Sequence, residues 1–301
     1  MSVIGNPTIA FNSRSAGQMA ALRSAAERLQ EQIATGERLT RSSDDPVAGA
    51  LLRRLGRSDR LAAVERENAG RAASNLTLAG EALSQMASDL VRIRELAVQA
   101  TSGTQSVAAR QAIGVEIMQL RTGIIASANS KDAAGGPLFA GTAGAPAYVL
   151  SATGEAIYMG APDPGTLRLD DQEEIPSGVV GPQFMTFSSG GAQVDLTGLL
   201  KELSDRLQAG MTADSAILTQ LDDALGTISR TQTVVGARLA YLDTVRDRLL
   251  TAEVARAQSA ADAGGVDFAT SIARLQETLT ALEAAQAGYA RLSSLTLFAA
   301  L

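Results

Sequence analysis

The chain has 301 residues and a formal net charge of −6, with neither cysteine nor histidine. Those two absences exclude disulfides, thiol catalysis, zinc fingers, Ser-His-Asp triads and histidine acid–base chemistry. Hydrophobic residues make up 46% of the chain but aromatics only 3%, with no Trp, which suits helices packed along their length better than a thick globular core.

The charge is unevenly placed. Between Pro137 and Asp195, seven acids (Glu155, Asp163, Asp170, Asp171, Glu173, Glu174, Asp195) stand against one base, Arg168. The flanks are balanced, with 25 acids and 25 bases. No basic patch suits a nucleic acid. No run approaches the ~20 apolar residues of a membrane helix, so membrane insertion is not expected. Met1–Ala20 lacks the basic start and apolar block of a cleaved secretory signal.

Along the chain, a short apolar lead of residues 1–12 is interrupted by Gly5 and Pro7. A helix is expected from Ser13 or Ser15, where a serine can cap the first turn. Met19, Leu22, Ala26, Leu29 and Ile33 then step by three and four, a heptad seam, and Gly36 is the expected stop. Ser43-Asp44-Asp45-Pro46 is a helix-start signal: capping side chains, acids near the N-terminal dipole, and proline in the first turn. The pattern predicts a long helix over 46–100, with a seam at Leu83, Met86, Leu90, Ile93, Ala97 and Ala100. At 1.5 Å per residue it would span roughly 80 Å, a rod for a fibrous assembly. Gly56, Gly70 and Gly80 mark where it could kink. A loop over 101–106 and a helix over 107–130 follow.

The texture changes at Gly135-Gly136-Pro137. Six of the eight prolines (Pro137, Pro146, Pro162, Pro164, Pro176, Pro182) lie from here to Pro182, among short apolar runs at 147–150, 156–159 and 183–187. These read as short strands and turns. Helical pattern returns at Leu196, Leu199, Leu203 and Leu207, and again from Thr212 or Asp214 to about Ala263. Asp267 is placed to cap a last helix. In it, Phe268, Ile272, Leu275, Leu279, Leu282, Gln286 and Tyr289 form a second heptad seam with one polar member, broadening into Leu292, Leu295, Leu297, Phe298 and Leu301. Burying one such side chain stabilises by about 1.5–3 kcal/mol, so this apolar end requires a partner surface.

The expected fold is mainly α with a β-rich insert, the long terminal helices forming an antiparallel coiled coil or bundle. Residues 1–45 and 264–301 are read as terminal packing segments, 46–136 and 194–263 as a long-helix bundle, and 137–193 as a β-rich outer domain.

Four stretches carry a resemblance. They are Gln32–Leu39 (QIATGERL), Thr40–Ala48 (TRSSDDPVA), Gly136–Thr142 (GPLFAGT) with Ala156–Gly160 (AIYMG), and Ala290–Phe298 (ARLSSLTLF). Their order and placement at both ends resemble the flagellin family of axial proteins. Proline after the paired acids and the LFAGT stretch resemble its hook-associated, hook–filament junction branch more than the filament flagellins. The start MSVIG and the ending Ala299-Ala300-Leu301 depart from the family pattern. The resemblance implies a structural subunit and not an enzyme, without cofactor or metal. It implies export to the flagellum outside the cell by the flagellar type III pathway. It implies a homo-oligomeric ring or tube contacting the preceding hook-associated protein, flagellin and, in the cytoplasm, an export chaperone. The assembly residues would be Met19, Leu22, Leu29, Ile33, Ile272, Leu275, Leu279, Leu282, Leu292, Leu295, Leu297, Phe298 and Leu301, with the helix-start motif Ser43, Asp44, Asp45 and Pro46.

Simpler readings stand beside these. The two seams could form an intramolecular hairpin, and Gln286 could simply reach solvent. The acidic run 170–174 lacks the spaced ligands of an EF-hand and reads as a solvated loop. Gly141-Thr142-Ala143-Gly144 is not a phosphate loop, since the only lysines are Lys131 and Lys201. Arg54, Arg57 and Arg60 form a basic stripe of the usual solvated or ion-paired kind. A filament flagellin, or a cytosolic coiled-coil scaffold, are the other two functional classes the pattern allows.

Overall fold

The computed structural model describes residues 7–298 apart from 40, 42, 43, 171 and 172; at 7–10, 169, 170, 173 and 292–298 it describes backbone only. Among the described residues, seven helices and six strands follow one another: α1 (Pro7–Thr35), α2 (Pro46–Thr101), α3 (Val107–Ala128), β1 (Tyr148–Leu150), β2 (Ala156–Tyr158), β3 (Thr166–Asp170), β4 (Glu173–Pro176), α4 (Pro182–Met185), β5 (Thr186–Ser189), β6 (Ala192–Asp195), α5 (Leu196–Gln208), α6 (Ser215–Gly264) and α7 (Phe268–Phe298). The mainly α class with a β-rich insert is therefore observed. Several details differ from the sequence expectations: β3 and β4 occupy the ends of the acidic run 170–174 expected as a loop, and β6 was not expected. Helix α1 begins at Pro7, because proline is accommodated in a helix's first turn. The run 183–187 is split, with α4 ahead of β5, because Pro182 starts a helical turn there. Helix α2 is unbroken through Gly56, Gly70 and Gly80.

The chain forms two compact units, one of residues 1–60 and 252–301, the other of residues 61–251. In the second, the apolar line Leu76, Leu83, Met86, Leu90, Ile93 and Ala97 of α2 is fully or almost fully buried. Helix α6 supplies Ile217, Leu221, Ala224, Ile228, Val235 and Leu242 in the same three-and-four rhythm. Helices α3 and α5 pack together at close range. The approach rests on Gly114: a Cβ there would meet the Ser204 carbonyl at 3.0 Å, and the Ser204 hydroxyl donates to the Gly114 carbonyl at 2.8 Å.

Three antiparallel hairpins, β1–β2, β3–β4 and β5–β6, make separate two-stranded sheets. Two-stranded sheets are marginal alone and need packing from elsewhere. Here Phe139 and Phe184 supply it, fully buried with ring centroids 4.9 Å apart. The Asn129 side chain continues the ladder, donating to the Tyr148 carbonyl and accepting from its N–H at 2.9 and 2.8 Å. The Tyr158 hydroxyl bonds the carbonyls of Phe139 and Ala161. Arg121 is buried and reaches both the Thr197 carbonyl (2.8 Å) and the Gly154 carbonyl (2.6 Å), so one side chain ties α3 to the start of α5 and to the β1–β2 turn. Burial lowers its pKa.

The stretch 138–142 lies at the centre of this packing. Phe139 and Ala140 are fully buried, and their carbonyls accept from Gly181 and Ala161. Gly141 has φ 63°, and a Cβ there would collide with the Asp163 carbonyl. No residue but glycine fits.

Candidate functional site

The first unit is where the sequence places its assembly residues. Helices α1 and α7 pack against each other. They run antiparallel, since the end of α1 meets the start of α7: the Val266 N–H donates to the Gly36 carbonyl at 3.0 Å, and Glu37 bridges Gly265. Gly36 ends α1 with φ 74°, as its place after the seam predicts. Asp267 caps α7, accepting from Ala269 and Thr270 N–H and from the Thr270 hydroxyl at 2.6 Å. The Thr270 bonds, the hydroxyl's first, hold its carboxyl below the usual carboxylate range.

The junction at the base of this pair is organised by Arg38. Its guanidinium donates to the Ala263 carbonyl at 2.9 Å and to Asp45 at 3.2 Å, and its N–H donates to the Gly264 carbonyl at 2.7 Å. Gln32 returns a bond to the Arg38 carbonyl. Asp45 caps α2 through the Ala48 N–H at 3.0 Å. That bond first, and Arg38 second, hold its carboxyl below the ordinary range. Asp44 accepts from the Arg41 N–H, closing the turn that leads into the helix. Pro46 is the first helical residue and is exposed. Ser43 lies outside the described residues. Arg38, which the sequence reading did not single out, is thus the residue that joins the ends of α1 and α6 to the start of α2. It stands within the stretch Gln32–Leu39, but a base seven positions before the capping acid has no local meaning in a turn.

On α1, Met19, Leu22, Leu29 and Ile33 lie on the side toward the pair and are half-buried, with Ala26 buried between them. On α7 the inward line is Ser271, Leu275, Thr278, Leu282, Ala285 and Tyr289. The heptad line read from the sequence therefore divides. Leu275, Leu282 and Tyr289 turn inward, whereas Phe268 (52% exposed), Ile272 (43%) and Leu279 (37%) face outward with exposed Gln286. The less exposed flank thus combines small Ser271, Thr278 and Ala285 with large Leu275, Leu282 and Tyr289, and Ile272 and Leu279 fall on the other flank. Leu292, Leu295, Leu297 and Phe298 have side chains outside the described residues, and Leu301 lies wholly outside them.

Among the described residues, no group of His, Cys, Asp or Glu has metal-holding geometry, and no helix is long and apolar enough to cross a membrane.

Residues 10–143 match the family described as the bacterial flagellin N-terminal helical region. The chain is 31% identical over 142 residues to Flagellin A of Vibrio cholerae, covering 47% of this chain and 37% of that one. It is 28% identical over 165 residues to flagellar hook-associated protein 3 of Salmonella typhimurium, covering 55% of this chain and 51% of that one. It thus spans about a third to a half of the length of these curated relatives. Its structure is similar to that of the flagellar junction protein FlgL from Legionella pneumophila, with a TM-score of 0.59 at 16% identity, over 71% of this chain and 100% of that one. Residues 10–143 are thus similar to the bacterial flagellin N-terminal helical region, and the fold is similar to that of a flagellar junction protein.

Proposed function

We propose that this chain is a structural subunit of the bacterial flagellum at the hook–filament junction, assembling with copies of itself through its terminal helices. The observation that carries the reading is the character of the first unit. Among its described residues the buried apolar side chains are Ala26 and Ala48 alone, while Phe268, Ile272 and Leu279 form an exposed apolar line. A unit that fully seals no large side chain among its described residues leaves apolar surface for a partner, and each side chain then covered contributes about 1.5–3 kcal/mol. A partner that already resembles it, an adjacent subunit, supplies the matching seam.

The remaining partners belong to the same reading. They are the preceding hook-associated protein below, flagellin above, and a cytoplasmic chaperone covering Leu292, Leu295, Leu297, Phe298 and Leu301 before export to the cell exterior. No catalytic role, cofactor or metal is proposed. Immunogold labelling of intact flagella tests it: a single band at the distal end of the hook is expected. Labelling along the filament would replace the junction reading by a filament flagellin, which the 31% identity to Flagellin A favours as the second reading. No labelling of surface appendages would overturn both. Removing residues 292–301 is expected to leave a chain that is exported but supports no filament attachment.

A further inference from the structure

Two charged rows in the second unit make no ion pair among the described residues. In the groove lined by α6 and the 179–183 segment, of about 340 Å³, stand Arg230, Val234 and Arg238. They are spaced i, i+4, i+8, so the Cα atoms of Arg230 and Arg238 are about 12 Å apart along one face of the helix. Arg230 donates to the Thr227 hydroxyl at 2.9 Å and Arg238 to the Gly178 carbonyl at 2.6 Å, and neither pairs with a carboxylate among the described residues. Burial alone shifts the Arg238 guanidinium, downward, with no acid opposing it. A partly desolvated cation without a counter-ion is costly. Val234 between them is 44% exposed.

The other row is on α2, beside the groove of about 790 Å³ between α2 and α3 that Gln85 and Asp89 line. Glu81, Gln85 and Asp89 have the same i, i+4, i+8 spacing. Asp89 accepts only from Gln85, at 2.9 Å, and Glu81 is exposed; neither has a basic partner among the described residues. The neighbouring Glu116 is already neutralised by Arg92 at 2.8 Å. The two rows therefore match in length, in spacing and in opposite sign. Rows of this i±4 kind on two helices come into line when the axes cross at about −50°, the commonest helix crossing.

We infer that the rows meet between copies: Glu81, Gln85 and Asp89 of one chain seat against Arg230, Val234 and Arg238 of the next, in a head-to-tail contact. Because the two patches differ, the contact is heterologous and propagates into a ring or a helical array instead of closing a two-fold dimer. This deepens the assembly reading above and takes its setting from it.

The absence of cysteine gives a clean test. The full chain carrying both Gln85→Cys and Val234→Cys, concentrated and mildly oxidised, is expected to form a ladder of disulfide-linked oligomers on a non-reducing gel. An equal mixture of the two single variants is expected to stop at dimers. No interchain product, or an intrachain bond alone, would overturn the contact. A charge swap provides the second measurement. Arg230→Glu with Arg238→Glu is expected to weaken self-association by about tenfold in sedimentation at low salt, two pairs at their usual surface strength. Adding Glu81→Arg and Asp89→Arg to the same chain is expected to restore it, and failure to restore would refute the pairing. A junction band without cross-linking would defeat this contact alone; cross-linking without any flagellar labelling would defeat the junction reading alone.

Discussion

Asp45 and Arg38 act together, and their contribution depends on charge. Asp45 keeps the α2 cap and one end of an ion pair, and its carboxyl is held below the unfolded value of about 3.9. A depressed folded value means that the stabilisation is complete above roughly pH 5 and is lost as the pH falls through the folded value. Asp45→Asn keeps an amide oxygen for the cap but loses the ion pair, so its unfolding is expected to be less acid-dependent than that of the parent chain. Thermal scans at pH 7 and pH 3 measure the difference. Asp45→Ala removes cap and pair together and is expected to lower stability at both. Arg121 is the counterpart in the second unit. Arg121→Met would leave the Gly154 and Thr197 carbonyls without their donor in a buried setting, at a cost of about 2–4 kcal/mol in urea unfolding. Neither role was legible beforehand: an arginine's partners at 33 and 76 positions' separation are fixed by the fold and not by its neighbours.

At the scale of elements, the helix ends were the most legible features. The stop at Gly36, the start at Pro46 and the cap at Asp267 were each carried by residues whose local chemistry has one main use. The rotation of α7 was not legible. A heptad line identifies a face to within one residue, and one residue is 100° of a helix. Ser271, Thr278 and Ala285 share the less exposed flank with Leu275 and Leu282, and in sequence they look like neutral positions. The two faces can be separated by substitution. Leu275→Asp is expected to break the α1–α7 pair, seen as faster amide exchange over residues 15–33. Ile272→Asp should leave that exchange unchanged while abolishing incorporation into flagella. In the β region, Gly141→Ala is expected to destabilise severely, because its Cβ collides with backbone at the Asp163 carbonyl and its φ of 63° disfavours any side chain. Loss of the near-ultraviolet tyrosine circular dichroism, with helix signal retained, is the expected readout.

For the molecule as a whole, the two units differ in what holds them. Residues 61–251 contain Phe139, Phe184, Leu76, Leu83, Met86 and Leu90, all fully buried. Residues 7–60 and 252–298 hold together by half-buried seams and by the hydrogen bonds around Arg38. Amide exchange of the free chain is therefore expected to be slow in the seam of α2 from Leu76 to Ala97 and much faster across α1 and α7. Assembly should raise protection mainly in α1 and α7. Equal protection of both units in the free chain would remove the argument for a partner-dependent first unit.

What the sequence alone determined is what short-range chemistry and periodicity can determine. The absence of Cys and His removed whole classes of catalysis, the three-and-four spacing placed long helices, and the proline and glycine stretch after Gly135 marked the β-rich insert and its first hairpin, though not β3, β4 or β6. Those signals are local, and local signals survive in any fold that contains the segment. Only the tertiary structure decided which side of α7 faces its mate, that Arg38 and Arg121 are the joints, and that α4 interrupts the expected strand before β5. Each of these depends on where residues distant in the chain come to lie. The large residues of α7 divide because only one flank of a helix can meet α1: Leu275, Leu282 and Tyr289 lie on the half-buried flank, Ile272 and Leu279 on the exposed one.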